Sequence, residues 1–341
     1  MKQSTAQLIT GFSGSGYIAG IDIGGTKTLI LITDSSGQVI ARSKKPTVQT
    51  EQAEAFVAAV FAQLDEVLHE AGLVRDRLNG IGIGFPGAVN TATGIIHHVP
   101  ALPLDGANLL ELIRPHYSGA LYLDNDVNMA ALGECWQGAG AGSTQMVMVT
   151  IGTGVGGAMI LNGELHRGAS YTAGEISYFV VDYQPEETSG TISSVEFGRY
   201  ESLASGTGIG EHARRWLRQH EGQSGAHLIA QAGSLEQVQA VHVLQLAAAG
   251  DADAQAIMQA PLGYMAAGLA NIISLLNPER IVVGGGVSES GYYMSELKRR
   301  VGQFTPIEAQ LVPALLGNEA GALGAIYGVL HTLQLHTLAK R

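Results

Sequence analysis

Residues 121–134 read LYLDNDVNMAALGE: an apolar run, three polar residues, then a stretch of good helix formers. Leu121, Tyr122 and Leu123 have the character of the end of a buried strand, and residues 127–133 that of a helix. Between them stand Asp124, Asn125 and Asp126. Two carboxylates and an amide in a row are costly to bury without partners. The carboxyl end of a strand in an open α/β sheet is also where ligands bind. Asp126 is therefore a candidate catalytic base, with Asn125 beside it on a substrate hydroxyl. Helix capping explains the same tripeptide, since Asp and Asn are favoured N-cap residues. Taken alone, the tripeptide leaves both readings open.

Composition narrows the class. The chain has 341 residues, 46% hydrophobic and 14% charged, enough for two lobes with a large buried core and too apolar for disorder. Glycine occupies 46 positions, well above the usual share of about 7%. The excess sits in short clusters, where tight turns and close backbone approach to a ligand call for it. A formal net charge of −11 argues against a nucleic-acid partner. The one cysteine, Cys135, excludes an internal disulfide and a thiolate-rich metal site. Together with the lack of a recognisable signal peptide, it points to a reducing cytoplasm. No uncharged apolar run is read as reaching the ~20 residues of a membrane span, so no membrane partner is expected. Residues 1–16 read as a flexible arm outside the fold.

From Tyr17 the sequence YIAGIDIGGTKTLILITDSSGQVIARS reads as strand, glycine tip, strand, turn, strand. Thr50 is the expected cap of a helix reaching about residue 71, with Phe56, Val60, Phe61, Leu64 and Val67 on one stripe and Gly72 as its stop. Residues 80–85 form a buried strand before the Pro86-Gly87 turn, residues 106–116 a helix, and residues 120–123 the strand that leads to the tripeptide. The pattern then repeats. Residues 145–151 and 158–161 read as strands around a glycine tip at 152–157, which suggests a duplicated α/β unit. Ser234 and Gln237 have capping-box spacing for a helix to about residue 249. Residues 253–276 read as a long buried helix that Pro261 should kink or split. A strand at 280–283 runs into Gly284-Gly285-Gly286, and residues 319–333 form the last helix.

Gly152-x-Gly154-x-x-Gly157 matches the dinucleotide fingerprint, but that motif needs a helix directly after it, and AMILNG follows. A dehydrogenase is therefore discounted. A glycine tip between two strands can still offer successive N–H groups to an anion. Two such tips on similar lobes, facing each other across a cleft, would clamp the phosphates of ATP. Either tip alone reads first as an ordinary glycine hairpin, and the two together with the glycines at 284–286 read as functional.

DIGGTK (22–27), LDNDVNMAALGE (123–134), TIGTGVGGAMILNG (150–163), GEIS (174–177), ESLASG (201–206) and IVVGGGVS (281–288) occur in this order. Together they resemble the successive signatures of the ROK family of sugar kinases, within the actin-like, hexokinase-like ATPase superfamily. The resemblance spans residue 17 to about 330. It implies a duplicated ribonuclease H-like α/β fold: a small lobe of residues 17–124 plus about 319–338, a large lobe of residues 125–318, and a central cleft. It also implies ATP and Mg²⁺ as cofactors and a small sugar as substrate. Asp22 would lie near Mg²⁺, reaching it through water; Gly24, Gly25, Thr26 and Lys27 would line the phosphates. Thr153 and Gly154 would form the second phosphate loop, and Gly284, Gly285 and Gly286 would sit against the adenosine. Asp126 would take the proton of the attacking hydroxyl, while Gly87, Asn125, Glu175, Tyr178 and Glu201 would contact the sugar.

The chain departs from the family pattern in two places. The family usually carries a His three residues after the first Glu and a Cys-rich loop ending at the second, which together bind zinc. Here Tyr178 holds the His position, and residues 180–200 contain neither Cys nor His. No structural zinc is expected, and Tyr178, Tyr183 and Phe197 packing together would order the loop instead. Ala101 stands where the family often has a sugar-binding Asn. Glucose is the default sugar, with fructose, allose and aminosugars open. The competing reading is a sugar-sensing protein or pseudokinase. A DNA-binding repressor is disfavoured by the short stretch before the first strand, and a homodimer is left open.

Overall fold

The structure is a computed structural model that describes residues 16–99, 102–181, 198–220, 222 and 224–338. The chain begins with β1 (Tyr17–Ile23), β2 (Lys27–Asp34), β3 (Val39–Pro46) and α1 (Ala53–Glu70). It continues through β4 (Leu78–Phe85), β5 (Ala88–Val89), β6 (Ile96–His97), α2 (Leu109–Ile113), β7 (Ala120–Asn125) and α3 (Asp126–Gln137). The middle of the chain holds β8 (Met146–Ile151), β9 (Val155–Leu161), β10 (Glu164–Leu165), α4 (Arg199–Ala204), α5 (Gly206–Gln219), α6 (Ala226–Ala232) and α7 (Ala240–Ala248). Then come α8 (Ala252–Leu276), β11 (Arg280–Gly284), α9 (Gly291–Phe304), β12 (Gln310–Pro313) and α10 (Ala320–Leu338).

The two larger sheets share one topology. Their orders are β3-β2-β1-β4-β7 and β10-β9-β8-β11-β12, so each runs third, second, first, fourth, fifth. In the first sheet β4 and β7 join β1 in parallel, and in the second β11 and β12 join β8 in parallel. The repeated meander expected from sequence is thus a repeated five-stranded sheet. The chain divides into two compact units. One takes residues to Thr144, Ala158–Ala173 and residues from Leu315 on; the other takes Gln145–Gly157 and Gly174–Ala314. The division therefore comes at 144, not at 124, and α3 belongs with the first unit.

In the first unit β1 alternates by the period-two rule. Ala19, Ile21 and Ile23 join the α1 stripe of Phe56, Val60, Phe61 and Leu64, while Ile18 joins Leu29, Leu31 and the α10 residues Ala322, Ile326 and Val329. On the α10 side glycines stand in for side chains. A Cβ on Gly20 or Gly82 would fall on the carbonyl oxygen of Ala322 or Ala325, so α10 lies directly on the strand backbones. It crosses α3 in the same way, where a Cβ on Gly324 would fall on the Met129 carbonyl. Glu134 completes the joint. Fully buried, its carboxylate accepts N–H groups from Ala139 (2.7 Å), Leu315 (3.0 Å) and Leu316 (2.8 Å), where the chain re-enters this unit.

Several local expectations shift. The first helix starts at Ala53 with Gln52 as N-cap, and Thr50 instead donates its hydroxyl to the Gln52 carbonyl. The helix expected over 106–116 is only α2, capped by Asn108. The capping box sits at Gln239 and His242, not Ser234 and Gln237. The second tip is shorter than expected, because β9 already starts at Val155. In the second unit α8 runs unbroken through Pro261 and packs against α4, α7 and α9. By length and composition α8 could cross a membrane, contrary to the sequence reading, but most of its apolar window is buried within the protein.

The contact between α3 and α10 sets a stability test. Gly324→Ala forces a methyl into the Met129 carbonyl and should cost about 1–3 kcal/mol, seen as a lower urea midpoint. Gly302→Ala in α9, where nothing lies within 4 Å of the new methyl, should gain roughly 0.5–1 kcal/mol.

Candidate active site

At the β7–α3 junction the capping reading of the tripeptide holds. Asn125 is the N-cap: its Oδ1 accepts from the Val127 N–H (2.9 Å) and the Asn128 N–H (3.1 Å). Its Nδ2 donates to the Gly87 carbonyl at 3.0 Å, tying the helix start to the turn after β4. Gly87 has φ +129°, and a Cβ there would come within 2.8 Å of the His97 carbonyl oxygen, so only glycine suits the turn. Asp126 opens α3, with Oδ1 2.9 Å from the Val127 N–H.

The strand residue just before the cap is the structural one. Asp124 is 1% exposed and fully partnered. Its Oδ1 accepts from Asn128 Nδ2 (2.7 Å) and the Asn125 N–H (2.8 Å), and its Oδ2 from Arg167 Nε (2.7 Å). Arg167 Nη2 in turn donates to the Tyr122 hydroxyl at 2.7 Å. Sequence reasoning singled out neither Arg167 nor Asn128. Asn128 has a local signal, lying four residues after Asp124 across one helical turn, whereas Arg167 has none.

The first glycine tip is braced by another residue the sequence did not single out. The Gly24 N–H donates to the Lys27 carbonyl (2.9 Å), while Thr47 donates its N–H to the Thr26 carbonyl (3.0 Å) and its hydroxyl to the Gly24 carbonyl (2.7 Å). Thr26 and Lys27 are exposed, and Gly25 lies between them and Gly24. The Asp22 carboxylate lies against Gly321 in the first turn of α10. Burial pushes its pKa up to about 6, with the Lys44 charge opposing. A desolvated carboxylate beside a glycine tip suits a hard divalent cation such as Mg²⁺.

In the second unit Gly152, Thr153 and Gly286 line a cavity of about 970 Å³. Three helices begin on its wall: α5 at Gly206 and Thr207, α7 at Gln239 and Ala240, and α9 at Ser290 and Gly291. Helix N-termini present N–H groups and a positive dipole end, which suits phosphates. Leu244 and Ala248 add an apolar stretch of wall fit for a base. Gly286 alone of the three glycines at 284–286 reaches the cavity. Gly284 faces Met148 and Ala314, and Gly285 turns at φ +85° against the Ile151 backbone.

Glu201 lies at the second tip, where its Oε2 accepts the Val155 N–H at 2.7 Å. Burial pushes its pKa up, partly offset by that bond. Glu175 precedes a short turn (Ile176–Tyr178) and is exposed, as is Tyr178 at 54%. Phe179 meets Tyr200, ring centroids 5.8 Å apart. Ala101, Tyr183 and Phe197 lie outside the described residues. Replacing Arg167 by Met leaves Asp124 buried without its cation and should cost about 3–5 kcal/mol in unfolding free energy, measured by urea titration.

Comparisons with known proteins point to one family. The sequence model of the ROK family matches residues 18–331. A glucokinase of Halalkalibacterium halodurans is 31% identical, over 90% of this chain and 93% of its own. The structure of a ROK family glucokinase from Streptomyces griseus in complex with glucose and AMPPNP superposes with a TM-score of 0.73 at 28% identity, covering 91% of this chain and 98% of that one. A xylose repressor of Caldicellulosiruptor bescii is 24% identical over 84% of this chain and 70% of its own. The chain belongs to the ROK family.

Proposed function

We propose that this chain transfers the γ-phosphoryl group of ATP to a hexose, with glucose as the default sugar and Asp126 as the general base. The observation that carries the reading is the β7–α3 junction. It presents a carboxylate on the first turn of a helix, beside an amide already fixed by its own bonds. Phosphoryl transfer asks mainly for positioning and charge neutralisation, plus one carboxylate to orient the nucleophile. In the proposed step Asp126 accepts the hydroxyl proton as the oxygen attacks. Asn125 has both Oδ1 lone pairs and one Nδ2 proton committed, so it offers the sugar a single N–H. Gly87, Glu175, Tyr178 and Glu201 belong to the same proposal as sugar-side residues.

The nucleotide would occupy the cavity of the second unit, its phosphates toward Thr153 and Gly154 and its adenosine toward Gly286. Gly24, Gly25, Thr26 and Lys27 would serve the phosphates from the first tip, and Asp22 would hold Mg²⁺. When bound, Mg²⁺ neutralises charge on the phosphates. The lone cysteine and the use of ATP fit a cytoplasmic enzyme acting on a free sugar.

A second reading, sugar sensing with little turnover, is favoured by the likeness to a xylose repressor and by Tyr178 and Ala101 at sugar-side positions. ADP release measured across a hexose panel separates the two. The kinase reading expects turnover with at least one hexose, and binding of a sugar by calorimetry without any turnover would overturn it. Asp126→Asn should lower kcat by about 10²–10⁴ and leave the sugar dissociation constant nearly unchanged.

A further inference from the structure

The first glycine tip is held from one side by a single residue. Thr47 follows Pro46, the last residue of β3, which stands opposite Lys27 of β2. All its polar groups are engaged. Its N–H donates to the Thr26 carbonyl (3.0 Å), its hydroxyl to the Gly24 carbonyl (2.7 Å), and its own carbonyl accepts from Gln49 Nε2 (3.3 Å). A second hydroxyl lies behind the first, Thr28 Oγ1 at 3.1 Å from Thr47 Oγ1. Both threonines are buried, at 1% and 5% exposure, although the tip beside them is open.

The direction of these bonds follows from the donor count. A hydroxyl has one proton, and Thr47 spends its own on Gly24, so the proton between the two hydroxyls comes from Thr28. The chain therefore runs from Thr28 to Thr47 to the Gly24 carbonyl. Its effect on the tip is one-sided. The carbonyls of Gly24 and Thr26 are taken by Thr47, and that of Lys27 by the Gly24 N–H at 2.9 Å. The Gly25 and Thr26 N–H groups find no acceptor among the described residues. Carbonyl oxygens repel a phosphate and successive N–H groups attract it, so a tip with its carbonyls occupied and its donors unspent suits an anion.

We infer that Thr47 is a positioning residue for phosphate binding: it prepares the first tip for an anion by holding the Gly24 and Thr26 carbonyls, and Thr28 sets the direction of its hydroxyl. This role rests on the kinase reading, which gives the tip to the phosphates of ATP, and it is tested by nucleotide binding without turnover. Valine at 47 keeps the shape and the main-chain bond but frees the Gly24 carbonyl, so that a bound nucleotide must itself order the tip. Serine keeps the hydroxyl. Removing both hydroxyls leaves no buried donor stranded between them, so the paired valine variant should regain stability that the single one loses. It should not regain the prepared tip.

The experiment titrates a non-hydrolysable ATP analogue with Mg²⁺ into the full chain by calorimetry and follows each variant in urea. Thr47→Val should weaken the analogue by about tenfold, and Thr47→Ser should stay within about twofold of the parent. Thr28→Val with Thr47→Val should bring the urea midpoint back toward the parent while the analogue stays weak, and it carries the test where the single variant does not fold. A merely structural threonine behaves differently, with affinity and midpoint falling and recovering together. Unchanged analogue affinity in a folded Thr47→Val protein, or affinity that returns with the midpoint in the paired variant, overturns the inference. If the analogue results hold while no hexose is phosphorylated, the proposed function fails and the inference stands; hexose turnover with unchanged analogue affinity in the variants does the reverse.

Discussion

Asp124 carries its carboxylate at 1% exposure, and a charge so far from water must be matched or given up. Arg167, Asn128 and the Asn125 N–H match it, and in doing so they join the end of β7, the first turn of α3 and the segment after β10. The junction then has little freedom left. Asn125 is held from both sides of its amide, and Asp126 follows it on the first helical turn. Two aspartates two positions apart thus have different work: Asp124 is consumed by structure, and Asp126 opens the helix. Exposure and partners separate them where composition does not.

The second unit solves a different problem by a related device. An anion needs donors, and the three helix starts around one cavity supply them without a cluster of basic side chains. That suits a chain whose formal net charge is −11. The cost is precision: backbone donors work only if the loops carrying them are held still. The glycines at 154 and 206 let neighbouring groups close in on the second tip.

Much of the fold was legible because it follows local rules. The meander, the α1 stripe and the glycine tips all rest on spacing within a short window. The parts that shifted are those decided by partners far along the chain. The first helix begins after Gln52, which makes no side-chain cap bond, and not after Thr50, and the capping box falls at Gln239 and not at Ser234; where each helix begins is decided by packing along the chain. The division of the chain moved to 144 because α3 packs on α10 through Gly324, a contact with no trace in either helix alone. At the site, Asp126 and Asn125 could be singled out from their neighbours, whereas Arg167 and Thr47 could not. Gly284 to Gly286 look alike in sequence, and only the backbone path assigns one of them to the cavity.

The position of α10 bears on how the chain is made. This helix covers one face of the first sheet and is stapled to α3 through the Glu134 bonds at Leu315 and Leu316. A ribosome delivers it only after the whole second unit has emerged. The face of β1 bearing Ile18 and Gly20 must wait uncovered through that interval, while the second unit, nearly continuous from residue 174 to 314, can close first. Assembly in the nascent protein would then run against the order of the letters, with the earliest strands among the last to be sealed.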